Sequence, residues 1–241
     1  MRLRRRRRRQ GATPANELII SIHVPKTGGE SFRDILEEAV EGRLQRDYGD
    51  KPDAPLTWRK RLELARSRPH VRKKARAVHG HFIGTKYWRE YPEARYMAWL
   101  RDPVERLVSH YQYWQRKPDK SNPTCRLMIE NDLSMEEFAA LREMRNLQTR
   151  YLGEVPVSAL AFVGITERYD ESIELFRRAF APDLDFTAER TNANPGRSGG
   201  RYEIDQDVRS AIAALNTADA DLHARGQVRF EELLREYGMA D

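Results

Sequence analysis

Apolar residues along this chain fall into a few tight runs, separated by stretches where they recur every three or four positions. Ile19, Ile20 and Ile22, within a segment from Glu17 to His23, are short and β-branched, which predicts a buried strand. Tyr96 to Leu100 and Leu160 to Ile165 read the same way, and Ala75 to His79 is a weaker version. Between the runs, Phe32, Ile35, Leu36 and Ala39 share one face of a helix over 31–40. A basic helix is expected from about Thr57 to Ser67, stopped by Pro69. Asp102 and Pro103 supply an N-cap and a first helical residue for a helix reaching about Arg116. Ser134 with Glu137 reads as a capping box, Asp170 as the cap of a helix over 171–180, and two helices close the chain, over about 205–215 and 217–237. Residues 42–56, with two glycines and two prolines, and 191–200, rich in Asn, Gly and Ser, read as loops.

Strands that alternate with helices predict an α/β fold of three layers, with a mostly parallel central sheet and helices on both faces. Ligands of such sheets sit at the carboxyl ends of the strands. Three of the strands expected here run directly into a motif.

Charge changes the picture at one end only. Residues 2 to 9 hold seven arginines and no acid, and without them 36 of the 43 basic residues face 37 acidic ones. The body is therefore nearly neutral, and the expected organisation is a disordered Arg-rich arm over 1–16 and a single domain over 17–241. Such an arm could bind polyanions with strong salt dependence, or be a solvated tail. It runs into Gly11 to Asn16 rather than an apolar segment, and the longest apolar stretch, Ala159 to Ile165, cannot cross a bilayer. Neither export nor a membrane anchor is expected. A lone cysteine, Cys125, forms no internal disulfide and fits a reducing compartment, hence a cytoplasmic protein.

The first motif follows the first strand: Lys26, Thr27, Gly28 and Gly29, then Glu30 and Ser31 at the helix start. Strand, glycine pair and helix N-terminus make an anion site, because backbone N–H groups and the helix dipole favour negative charge. Lys26 adds a point charge, and Thr27 and Ser31 add hydroxyls. The lysine precedes the glycines, so no Lys-Ser/Thr pair stands where magnesium-dependent nucleotide loops hold their metal. A tight turn without a ligand is the plainer reading of the same residues. The second motif is Arg101, where a strand meets a helix start and a planar guanidinium suits phosphate. Ser109 lies about two turns further along that helix. Arg101, Asp102 and Arg106 fit a capped helix with surface ion pairs equally well.

As a set, these segments resemble the carbohydrate sulfotransferases of the heparan sulfate 2-O-sulfotransferase type and their bacterial relatives. HVPKTGGESF (23–32) resembles their 5′-phosphosulfate loop, and LRDPVERLVSHYQYW (100–114) their 3′-phosphate motif. RNLQTRYL (145–152), FVGITERYDES (162–172) and LNTADADLHARGQVRF (215–230) extend the likeness over residues 17 to 235. The resemblance implies a P-loop-like fold that uses 3′-phosphoadenosine 5′-phosphosulfate (PAPS), without a metal, for in-line sulfuryl transfer to a hydroxyl. It implies that Lys26, Thr27, Gly28, Gly29, Glu30 and Ser31 surround the phosphosulfate, and that Arg101 and Ser109 hold the 3′-phosphate. Glu30 departs from the pattern, since relatives often carry Thr there. A carboxylate beside two anionic groups is unfavourable unless it turns outward.

His79, Gly80 and His81 resemble the family's His-Gly-His segment. His81 is then the expected general base, His79 a supporting or alternative one, and Lys26 the group that stabilises charge on the departing phosphate. A His-x-His pair is also half a zinc site, but the lone cysteine and four scattered histidines offer no evident third ligand. Asn194 and Arg197 fall where relatives close over the cofactor. Trp88, Trp99 and Trp114 read as packing residues, with sugar stacking open for Trp88 or Tyr113. The acceptor implied is a sugar hydroxyl; the acceptor-facing segments, about 42–75 and 115–150, carry no decodable motif, and the basic cluster from Arg59 to Arg76 could face an anionic glycan or only water. Three rivals remain: an ATP-dependent phosphotransferase, a non-enzymatic polyanion-binding protein acting through the arm without specificity for nucleic acid, and a cofactor-binding protein without turnover. Nothing in the pattern indicates an oligomeric state.

Overall fold

The β-branched runs assemble as their burial demands. In the computed structural model, which describes residues 18–48, 50, 58–66, 70–184, 197–198 and 201–239, five strands form one parallel sheet. They are β1 (Ile19–Ile22), β2 (Leu44–Arg46), β3 (Ala77–Gly80), β4 (Arg95–Leu100) and β5 (Leu160–Ile165), in the order β2-β3-β1-β4-β5. The helices are α1 (Gly29–Ala39), α2 (Trp58–Arg66), α3 (Thr85–Trp88), α4 (Pro103–Arg116), α5 (Pro123–Glu130), α6 (Met135–Ala140), α7 (Leu147–Leu152), α8 (Tyr169–Phe180), α9 (Gln206–Leu215) and α10 (Thr217–Glu236). A short antiparallel pair, β6 (Arg197–Ser198) and β7 (Arg201–Tyr202), precedes α9.

Both faces of the sheet are covered, as the expected α/β class requires. On one face Phe32 of α1 packs against Trp99, Phe162 and Phe176 of α8, with ring centroids 5.4, 5.6 and 4.8 Å apart. Leu100 follows Trp99 and so points the other way. There α10 closes on Leu100 and Val163 at Gly226. A second apolar cluster gathers Leu107 and Trp114 of α4, Phe138 of α6 and Ile212 of α9 beside the sheet. Asp102 caps α4 as expected, accepting from the Val104 and Glu105 N–H groups at 2.9 and 3.0 Å. The Ser134–Glu137 capping box on α6 is complete, with bonds of 3.2 and 2.8 Å. Trp99 and Trp114 are buried, and Trp88 packs partly buried on the core.

The structure corrects four local expectations. The segment expected as a loop over 42–56 contains β2, an edge strand of three residues with one buried apolar position, Leu44, too short to show alternation. Helix α1 begins at Gly29 rather than Ser31, because Gly28 takes the left-handed conformation that starts it. Asp170 lies in the first turn of α8 and does not cap it; the N-cap is Arg168, behind a 3-10 turn over Thr166–Arg168. The expected loop over 191–200 includes β6 at its end. The Arg-rich arm and Asn194 lie outside the described residues. Among the described residues no helix is long and apolar enough to cross a membrane.

The chain leaving β2 passes tightly over the end of β3, where the Asp47 N–H donates to the His79 carbonyl at 3.0 Å. A Cβ on Gly80 would stand 1.7 Å from the Asp47 carbonyl oxygen, whereas one on Gly42, also at positive φ, would meet nothing within 4 Å. Gly80→Ala is therefore expected to cost about 1–3 kcal/mol or more by overpacking, and Gly42→Ala about 1 kcal/mol from conformation alone. Urea denaturation midpoints check this; equal shifts would contradict it.

Candidate active site

Strand order fixes where a ligand belongs. From β1 the chain moves to β2 and β3 on one side, and from β4 it moves to β5 on the other. The carboxyl ends of β1 and β4 therefore flank a topological switch point, where open α/β sheets leave a crevice. His23 and the Lys26 loop continue β1, His81 continues β3, and Arg101 continues β4.

The loop is held by its own side chains. Lys26 and Gly28 have positive φ, 70° and 92°. The buried Thr27 hydroxyl donates to the Val24 carbonyl at 2.9 Å, so it braces the loop from within. The Thr166 hydroxyl lies 2.7 Å from the Thr27 carbonyl and 3.0 Å from that of Leu100, linking the ends of β1 and β4. Gly28 at the N-cap makes no side-chain bond across the start of α1, which leaves the positive end of that helix open to an anion. A Cβ on Gly29 would lie 2.2 Å from the His23 ring, so only glycine lets that ring and the helix start approach. Glu30 is exposed at the first turn, and Ser31 is half-buried. The Lys26 ammonium stands 3.9 Å from the centre of the Tyr113 ring. Burial pushes its pKa down, while Glu30 and Tyr202 pull it back up.

Arg101 closes the opposite side. It is buried, and its Nη1 donates to the Lys26 carbonyl at 3.0 Å. Its Nε and Nη2 are buried with no hydrogen-bond partner among the described residues. Buried donors in that condition call for an acceptor. Ser109 is buried on α4, one turn before Tyr113, so the helix that starts beside Arg101 carries both. Tyr202 of β7 lies with its ring centre 5.6 Å from the Arg101 guanidinium. It is fixed there by buried Glu105, which accepts from the Tyr202 N–H at 2.9 Å and from Arg209 at 3.0 Å.

The histidines form a cluster of three rather than the expected pair, His23 stacked on His79 and tilted against His81. His23 lies between His79 and His81, with centroids 5.0 and 4.6 Å away. The Ser21 hydroxyl is 2.9 Å from His79 Nδ1. Among the described residues His79 Nε2, His81 Nε2 and His23 Nδ1 have no hydrogen-bond partner. Tyr48, itself half exposed, covers His81 edge-on at 4.9 Å. Burial lowers His81 to about 4. Burial, then the charges of His81, Arg33 and Arg46, lowers His79 to about 3, and His23 falls well below its usual value by the same cause. Burial thus keeps all three rings neutral at pH 7. Among the described residues no three His, Cys, Asp or Glu side chains are grouped to hold a metal ion.

The fold thus brings Lys26, Gly28, Gly29, Arg101, Ser109, His79 and His81 to one end of the sheet, with Thr27 turned inward and Glu30 exposed near enough to act on Lys26. His23, Tyr202, Glu105 and Gln148 escaped sequence reasoning. His23 had a legible signal, since Ser21 and His23 alternate on the same face as His79 and His81 in the paired strand. The others are set by contacts far apart in the chain.

Depressed histidine pKa values carry a sign. Above about pH 6.5 neither folded nor unfolded chain protonates these rings. Below it the unfolded chain takes up protons that the buried rings refuse, so stability falls as pH drops towards about 4. The urea midpoint should be flat from pH 8 to 7 and decline below 6.5, with the His79 and His81 ring NMR signals not titrating above about pH 5.5. A ring titrating near 6.5 would contradict the burial assigned to it.

No protein-family model matches the chain, and no curated protein sequence matches it. Solved structures similar to it include a sulfotransferase from Alicyclobacillus acidocaldarius, 17% identical with a TM-score of 0.48, over 90% of this chain and 96% of that one. Mouse sulfotransferase SULT7A1, solved with PAP, is 12% identical with a TM-score of 0.38, over 84% of this chain and 64% of the mouse chain. The chain thus spans less than two thirds of the mouse protein.

Proposed function

We propose that residues 17–241 form one catalytic domain, a PAPS-dependent sulfotransferase that moves a sulfuryl group to a hydroxyl, on a carbohydrate acceptor. The observation that carries this reading is Arg101: its buried Nε and Nη2, without partners among the described residues, are held beside the Lys26 loop by the bond from Nη1 to the Lys26 carbonyl. Two cationic seats at a fixed spacing suit a nucleotide with two separate anionic groups, one at each end of its ribose. Arg101 and Ser109 would hold the 3′-phosphate. Lys26, the start of α1 at Gly28 to Ser31, and the Thr27-braced loop would hold the 5′ end, with the Glu30 carboxylate exposed.

PAPS supplies an activated sulfuryl group: a new sulfur–oxygen bond to the acceptor forms as the bond to the bridging phosphate oxygen breaks. His81 takes the acceptor hydroxyl proton at Nε2, as a neutral ring without a competing partner among the described residues. His79, tied to Ser21, supports it or replaces it as base. Lys26 neutralises charge on the departing phosphate, the electrostatic role a metal fills elsewhere. The buried lone Cys125 fits a reducing compartment, the cytoplasm.

Adenosine 3′,5′-bisphosphate should raise the melting temperature more than ATP with magnesium does. The reverse order would favour a phosphotransferase. With radiolabelled PAPS, an acceptor screen over glycans, lipids and small alcohols should label a glycan. His81→Ala should then lose transfer by about 10²–10⁴-fold with bisphosphate affinity unchanged, and wild-type turnover in that variant would overturn the assignment.

A further inference from the structure

We propose that Gln148 is the positioning residue that aims the Arg101 fork, and so sets the preference of the crevice for a 3′-phosphorylated nucleotide; this rests on the cofactor reading above.

Arg101 stands beyond the reach of its own sheet. The β1–β4 pairing ends at Ala98 and the β4–β5 pairing at Leu100. The backbone N–H and C=O of Arg101 therefore have no neighbouring strand, and a buried residue cannot leave them unpaired cheaply. The Gln148 side chain takes the place of that strand. Its Oε1 accepts from the Arg101 N–H at 2.9 Å, and its Nε2 donates to the Arg101 carbonyl at 2.8 Å. A primary amide offers one acceptor and one donor at the spacing of a peptide group, so the pair mimics a ladder rung. Both partners are buried, Gln148 completely.

Gln148 is itself anchored from the far end of the chain. Asp219 of α10 is fully buried and accepts from the Gln148 N–H at 3.0 Å and from the Thr149 N–H and hydroxyl, each at 2.8 Å. It thereby satisfies the start of α7 from outside. Asn146 and Asn216 lock the same junction: the Asn146 N–H donates to Asn216 at 2.9 Å, and the Asp219 N–H donates to Asn146 at 3.1 Å. The amide that grips Arg101 is thus rigid before any ligand arrives. Besides its bond from Arg101, the Lys26 loop has braces of its own, from the Thr27 hydroxyl to Val24 and from the Thr166 hydroxyl to Thr27. Loosening Gln148 therefore acts on the 3′ end of the nucleotide and spares the 5′ end.

Calorimetric titration of the full chain with adenosine 3′,5′-bisphosphate and with adenosine 5′-monophosphate separates these effects. Gln148→Met keeps the volume and removes both bonds. It should weaken the bisphosphate by about tenfold or more, as expected for misdirected bonds to a charged group, and change the monophosphate by less than about twofold. Gln148→Asn, one carbon too short to bridge both backbone groups, should shift the ratio in the same direction and serves if the methionine variant does not fold. Equal weakening of both ligands would mark a merely structural role and overturn the inference. So would a wild-type 3′ preference that either variant leaves intact. A wild-type chain without any 3′ preference overturns the cofactor reading, and the inference with it.

Discussion

One hydrogen bond directly joins the segments that follow the two strands flanking the crevice: the Arg101 guanidinium donates from Nη1 to the Lys26 carbonyl at 3.0 Å, beside the bridge that Thr166 makes. Through it the loop after β1 and the helix start after β4 become one unit, and the spacing between two cationic groups is set by the sheet. Desolvating a guanidinium is costly unless its donors are satisfied. Here the cost falls on folding, with Nε and Nη2 left without partners among the described residues. An acceptor that reaches those donors recovers a penalty already incurred, which is how a preorganised anion site gains affinity.

The histidine cluster depends on the same burial. His23 packs against Gly29, His79 and His81, and burial is the first cause that lowers all three histidines. The result is a set of rings that stay uncharged at pH 7 beside Lys26, a cation that burial also pushes towards neutrality. The permanent charge of the crevice is the Arg101 guanidinium, while Glu30 and Tyr202 offset part of the effect of burial on Lys26.

Much of this was legible because it is local. Short continuous apolar runs gave β1, β4 and β5, and Asp102 with Pro103 gave the start of α4, because a cap is made within three residues. The candidate phosphate residues, Lys26 to Ser31, Arg101 and Ser109, were legible for the same reason: each sits at a strand end or on one helix face. What escaped is non-local. Gln148 meets Arg101 across 47 residues, and Asp219 meets Gln148 across 71, so neither pairing leaves a spacing to read. The edge strand β2 escaped because three residues are too few for a pattern, and Asp170 misled because the helix starts two residues earlier, at Tyr169 directly after a 3-10 turn, which puts Asp170 inside its first turn.

The central claim is that Lys26 and Arg101 read opposite ends of one nucleotide. Affinities of Lys26→Ala and Arg101→Lys for adenosine 3′-monophosphate and 5′-monophosphate test it most directly. Loss of Lys26 should weaken the 5′-phosphate ligand and spare the 3′ one. Loss of the Arg101 fork, with its charge kept, should do the reverse. Variants that weaken both ligands alike, or neither, would contradict a crevice built on two separate anion seats.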